Sequence, residues 1–205
     1  MFPLKWTPNE VMELVQIFEA RHQVPDAGAL FVWAAWTAES LQYLNEIDRA
    51  HELDPPTGGH HRDIIDVAHA RWATTTSITA LDLCAAGLGQ AFCEHHGRHE
   101  LKLGNFDPDL RLKRDRREQR AQRRGKLPVA ALNWVDEACR DPRYKTLRQA
   151  RDSLTHSRLR RHLVLQRRLS LELETGTIGV RQLVENARDC ARDHVAMFLG
   201  LLPLL

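Results

Sequence analysis

The sequence predicts an all-α helical bundle in a single domain, residues 1–205. Three observations predict it. Apolar residues recur at helical spacing in successive segments. Pro- and Gly-bearing breaks with capping residues separate those segments. No stretch carries a convincing strand signal, and no internal repeat is visible.

The elements follow in order. TPNE opens the first helix: Thr7 caps, Pro8 takes the first helical position and Glu10 closes a capping box. Val11, Leu14, Val15 and Phe18 form its apolar face, and it ends near His22–Val24, before Pro25. Asp26 caps a second helix through Leu53, with Leu30, Trp33, Ala34, Leu41, Leu44 and Ile47 inward. DPPTGG at 54–59 is a break. A third helix spans about 62–88, with Ile64, Ile65, Ala68, Trp72, Ile78, Leu81 and Ala85 inward. Inside it, TTTSIT has weak helix propensity, and its hydroxyls can bond preceding carbonyls. Gly87, Gly89 and Gly97 loosen its end. Residues 100–112 read as a loop. Pro128 starts a short helix through Cys139, and Asp141-Pro142 resets the chain. A long helix over 143–172 is expected next, then a break at TGT (175–177). The final helix, about 180–198, carries Leu183, Val184, Ala187, Val195 and Phe198 inward.

Hydrophobic residues make up 43% and charged residues 27%, which suits a globular chain with a real core rather than a disordered one. The net charge is only +2, but it is unevenly spread. Residues 111–126, RLKRDRREQRAQRRGK, hold nine Arg/Lys against two acids, a local +7. This run is either an exposed helix or a mobile arm, and it can follow a polyanion backbone through phosphate contacts. Arg116, Arg117, Arg120, Arg123 and Arg124 are the expected RNA contacts. The run has no aromatic residue, so base stacking is not expected from it.

Cys84, Cys93, Cys139 and Cys190 form no CxxC pair, and no secretory signal precedes them, so a reducing cytoplasmic setting is expected. No run reaches eighteen apolar residues, so no membrane span is expected, and the tail FLGLLPLL reads as a core cap. GxGxxG and P-loop patterns are absent, which excludes Rossmann and P-loop nucleotide sites from the reading. Cys93, His95, His96 and His99 are metal-capable, but without HExxH and with Gly97 among them they read as a solvated helix end; no metal and no cofactor are predicted. The five tryptophans, at 6, 33, 36, 72 and 134, read mostly as core.

The stretch with chemistry is LRQARDSLTHSRLRRH, 147–162. On a helix, Arg151 and His156 lie about 140° apart around the axis and roughly 7–8 Å along it. A second surface is needed to bring them together, and a second copy of the same helix would supply one under two-fold symmetry. Asp152 is the i,i+4 partner of His156; it can orient the imidazole or pair with an arginine. An imidazole that exchanges protons near neutral pH and a guanidinium that grips phosphate suit RNA cleavage by the ribose 2′-hydroxyl.

This helix resembles the signature helix of the HEPN superfamily: an Arg, a polar residue, three variable residues and a His, here Arg151, Asp152, Ser153–Leu154–Thr155 and His156. The resemblance is tight over the motif and a loose helical pattern elsewhere. It implies an all-α, usually homodimeric protein, many of whose relatives are metal-independent endoribonucleases of prokaryotic toxin–antitoxin, phage-defence and RNA-processing systems. Arg151 and His156 would be catalytic and Asp152 supporting, with RNA as partner and, in a toxin–antitoxin pair, an antitoxin protein. The alternative is a non-catalytic helical RNA-binding or dimerising module that uses the same helix as a seam.

Overall fold

The computed structural model describes residues 6–53, 59–93, 101–110, 113–155, 162–165, 168–173 and 176–205. The fold is mostly helical. In chain order it contains α1 (Pro8–His22), α2 (Pro25–Leu53), α3 (Gly59–Phe92), a 3-10 turn (Leu103–Asn105), α4 (Arg114–Lys126), α5 (Val129–Arg140) and α6 (Pro142–Thr155). Three strands follow, β1 (His162–Leu165), β2 (Arg168–Leu173) and β3 (Gly176–Gly179), and then α7 (Val180–Leu201) and a 3-10 turn (Leu202–Leu204).

The predicted capping box closes α1. The Glu10 amide donates to the Thr7 hydroxyl at 3.3 Å, and the Thr7 amide donates to the Glu10 carboxylate at 2.7 Å. Val11, Val15 and Phe18 are buried. Gln23, at φ 57°, ends the helix in the left-handed region just before Pro25.

The α2–α3 pair departs from the expected faces. The buried row of α2 is Ala27, Phe31, Ala34, Ala35, Ala38 and Leu41. Small residues on that row let α3 approach closely. Trp33 and Trp36 therefore lie outside, 57% and 51% exposed, in edge-on contact at 5.6 Å. Trp72 is likewise 57% exposed and Ala68 is exposed, while Ile78, Leu81 and Ala85 are buried as predicted. Of the five tryptophans, Trp134 is fully in the core and Trp6 packs against it. The side chains of Leu44, Ile47, Ile64 and Ile65 lie outside the described residues.

α3 runs on to Phe92 rather than loosening at its glycines, because those glycines are contact points. A β-carbon at Gly87 would stand 2.2 Å from the Phe31 ring, and one at Gly89 would stand 2.6 Å from Leu101. Thr74 donates its hydroxyl to the Ala70 carbonyl at 2.8 Å, so the TTTSIT run stays helical by bonding to its own preceding turn.

α7 packs against α2, α3, α5 and α6, and its inner face includes Leu183, Val184, Ala187, Cys190, Ala191, Val195 and Phe198. Phe198 meets Phe31 of α2 at 4.8 Å and Trp134 of α5 at 4.9 Å between ring centroids. The tail folds back as a cap: Leu202 and Leu205 are buried, and Arg21 donates to the Pro203 carbonyl at 2.9 Å. Among the described residues no helix is long and apolar enough to cross a membrane.

The expected helix over 143–172 is corrected. Helix α6 stops at Thr155, and the chain then forms a three-stranded antiparallel meander in the order β1-β2-β3. Leu169, Leu171 and Leu173 alternate with polar residues at period two, which one sheet face can bury; Leu171 and Leu173 are buried. Leu171 pairs with Ile178, and Gly176, at φ 125°, supplies the backbone conformation that starts β3.

Because the Phe31 ring is fully buried against Gly87, Gly87→Ala should overpack this contact. We expect a loss of about 1–3 kcal/mol in urea unfolding. A variant as stable as the parent would show that α2 and α3 can separate without cost.

Candidate functional site

Helix α6 is set by its first turn. The Asp141 carboxylate accepts the Arg143 amide at 2.7 Å, and Pro142 occupies the first helical position. Tyr144, Leu147, Ala150 and Leu154 are buried. That packing leaves Tyr144, Arg148 and Arg151, spaced i, i+4, i+7, along a flank that lines a cavity of about 440 Å³. The Arg148 guanidinium lies 5.7 Å over the Tyr144 ring and donates to Asp107 at 3.0 Å. Arg151 is half-buried and donates through Nε and Nη2 to Asp152, at 3.1 and 2.9 Å. Asp152 therefore braces Arg151. His156 lies outside the described residues, one position beyond the end of α6.

A second wall comes from the basic run. It forms helix α4, which settles the helix-or-arm question for 114–126. Arg116, Gln119 and Arg123, spaced i, i+3, i+7, line the cavity. Arg117 is exposed and outside the lining. Arg120 and Arg124 turn into the fold. Arg120 donates to the carbonyls of Asp107 and of Leu110, the latter at 2.8 Å. Arg124 forms a two-pronged pair with Asp136 at 2.7 and 3.1 Å and donates to the Phe106 carbonyl at 2.8 Å. Of the five arginines grouped as RNA contacts, these two are occupied as fasteners, because carbonyls of Phe106, Asp107 and Leu110 accept their N–H groups.

A third wall is the segment 102–105. Its 3-10 turn is held by Asp82 of α3, which accepts the Leu103 amide at 2.9 Å, and by Asn105, which accepts the Lys102 amide at 2.7 Å. Lys102 and Asn105 both line the cavity. Burial pushes the Asp82 carboxyl above its ordinary value; the Leu103 amide and the charges of Lys102, Arg151 and Arg148 offset this in part. The lining thus carries five cationic side chains and one carboxylate, that of Asp82. Lys102, Asn105, Asp82 and Arg148 were not singled out from sequence. The repeated basic spacing on α6 and α4 was a readable signal; the contribution of the loop was not.

A second cluster is structural. Asp141, Cys190 and His194 bring one potential metal-ligand atom each within 4.8 Å of the others. The Asp141 carboxylate, however, is already bonded by Arg143 at 2.7 Å and by His194 at 2.8 Å, and Arg143 reaches on to Asp193 at 2.8 Å. A dication there would face a fixed guanidinium. Burial pushes the Asp141 carboxyl up, but the hydrogen bonds from Arg143 and His194 outweigh it and hold the group down at about 2. Burial pushes the Cys190 thiol up to about 12. This cluster ties the α5–α6 corner to α7. Of the predicted metal-capable group, Cys93 points its thiol at the Arg123 carbonyl, 3.7 Å away, and His95, His96 and His99 lie outside the described residues.

No protein-family model, curated protein or solved structure matches this chain.

The division of labour on α4 is testable. Arg120→Ala and Arg124→Ala should each lower unfolding stability by about 1–3 kcal/mol, since buried acceptors lose their donors. Arg116→Ala and Arg123→Ala should change it by less than about 0.5 kcal/mol. Equal losses in all four would erase the distinction between fasteners and lining.

The Asp141 junction makes a pH statement. Its carboxyl titrates at about 2 in the fold against 3.8 ordinarily, so its contribution is present above pH 4 and is lost as pH falls through 2. Relative to Asp141→Asn, the parent should lose about 2 kcal/mol of stability between pH 4 and pH 2. Parallel stability curves for the two proteins would contradict this assignment.

Proposed function

We propose that this protein is a metal-independent endoribonuclease of the HEPN type and that the basic cavity holds the RNA phosphate. One observation carries the reading: Arg151 of the motif helix and Arg116 and Arg123 of the basic run line the same cavity. In this reading Arg151, braced by Asp152, grips a non-bridging phosphate oxygen and stabilises the charge that develops there. His156 takes the proton from the ribose 2′-hydroxyl. The 2′-oxygen attacks phosphorus, the bond to the 5′-oxygen breaks, and that oxygen takes a proton from water while the His156 imidazolium releases its own to solvent. The products are a 2′,3′-cyclic phosphate and a 5′-hydroxyl, with atoms and charge balanced and no metal required.

Arg151 shares its cavity with residues of α4 and of the 102–105 segment of the same chain. In this reading a single protomer supplies the phosphate-holding cations. A homodimer, as the family resemblance implies, would set two such cavities side by side. RNA is the partner, an antitoxin protein is the partner expected of a toxin–antitoxin setting, and the cytoplasm is the expected location. A second reading, a non-catalytic RNA-binding module, is favoured by Lys102, Arg116 and Arg123 in the cavity lining, which offer an anion site without His156.

The test compares single-stranded RNA with the same strand lacking 2′-hydroxyls, in chelator. We expect only the RNA to be cut, to cyclic-phosphate ends. His156→Ala should slow cutting by about 10²–10⁴-fold, and Arg151→Ala should also impair it, with both variants first shown to be folded. Cutting that survives His156→Ala at the full rate would refute the mechanism. Binding without cutting across varied RNAs would favour the module.

A further inference from the structure

The charge inventory of the cavity says more than that it binds RNA. Of its five cations, Arg148 and Arg151 each have a carboxylate partner, at 3.0 and 2.9 Å. Among the described residues, Lys102, Arg116 and Arg123 have none. They come from two different walls and converge on one space. The other polar lining groups include the Gln119 and Asn105 amides and the Tyr144 hydroxyl, whose ionisation burial suppresses. These are neutral donors that add no charge.

Set against the carboxylates of Asp107, Asp152 and Asp82, the five cations leave a surplus of two, which exceeds what one internal phosphodiester needs, since a diester carries a single negative charge. A terminal phosphate carries about 1.5 to 2 negative charges at neutral pH and presents three acceptor oxygens. Guanidinium forks grip such oxygens in pairs, while Lys102 acts as a point charge. The volume, about 440 Å³, lies within the roughly 300–1,000 Å³ of pockets that enclose a whole small ligand.

We infer that the cavity recognises the terminal phosphate of an RNA strand, with Lys102, Arg116 and Arg123 as the residues that distinguish this doubly charged end from an internal diester. The inference rests on the RNA reading for the identity of the strand, but its charge argument is separate from the cleavage chemistry.

The test titrates the full chain with 2′-O-methyl oligoribonucleotides, which cannot be cut by the proposed route. Matched strands carry a 5′-phosphate, a 3′-phosphate or hydroxyls at both ends, and inorganic pyrophosphate serves as competitor. At least one phosphorylated strand should bind about tenfold or more tightly than the hydroxyl-ended one, and pyrophosphate should displace it. The double variant Arg116→Gln/Arg123→Gln should abolish the preference, whereas Lys113→Gln/Arg114→Gln, an equal loss of charge off the cavity, should retain it. Equal affinity for all three strands, or a preference untouched by the double variant, would overturn the inference. Pyrophosphate binding without any preference among strand ends would assign the pocket to a free phosphate compound and remove the RNA end as its source. Cleavage of uncapped RNA without end preference would leave the ribonuclease reading standing and this one fallen; end preference without cleavage would do the reverse.

Discussion

The seat of Phe31 against the bare backbone of Gly87 is the contact on which the rest of the structure depends. It fixes how closely α2 and α3 can lie, because there is no β-carbon to hold the helices apart. The same ring is an anchor for α7 through Phe198, and Phe198 in turn holds Trp134 of α5. Trp134 also donates its indole N–H to the His194 carbonyl at 2.9 Å, so α5 is pinned to α7 by a ring contact and a hydrogen bond together. From α5 the chain turns at Asp141 into α6, whose flank carries Arg148 and Arg151. The position of the basic cavity is thus inherited, contact by contact, from a glycine on another helix.

The cavity concentrates like charge, and the fold limits the cost by distributing the cations over separate elements. Arg148 and Arg151 sit on a helix anchored by the buried Tyr144, Leu147, Ala150 and Leu154 and carry their own carboxylates. Lys102 sits on a turn held by the Asp82 and Asn105 side chains. Neither support needs the cations themselves to pack. The buried carboxyl of Asp82 serves two ends here: it anchors the turn through the Leu103 amide, and it places a partial counter-charge under the arginines.

Much of the helical frame was legible in the sequence because its signals are local. Thr7, Pro8 and Glu10 specify a helix start by themselves, and α5 and α7 show a single apolar stripe between clear breaks. The inward face of α2 was not legible, since residues 29–36, ALFVWAAW, are apolar on every side and only the partner helix decides which row is buried. The strands were missed because leucines at 163, 165, 169, 171 and 173 also satisfy a helical face when joined to the preceding segment. Part of the candidate site was legible: Arg151, Arg116 and Arg123 stand out in the sequence and line the cavity. The different fate of Arg120 and Arg124 was not, because whether an arginine faces solvent or a carbonyl depends on a loop that sequence spacing does not locate.

Helix α4 contributes a single buried side chain to the interior, and that side chain is Arg120. Most surface helices are held by an apolar stripe; this one is moored by guanidinium bonds to carbonyls and to Asp136. Such a mooring has little of the heat-capacity signature of apolar burial, so the wall of the cavity and the core behind it answer to different physical variables. Cooling weakens hydrophobic packing in the core, whereas the hold on α4 is governed by charge and by competition from water for the carbonyls. An anion between Arg116 and Arg151 would add a bridge from α4 to α6, so ligand and helix would stabilise one another, and occupancy of the cavity would be felt first as a tightening of its least greasy wall.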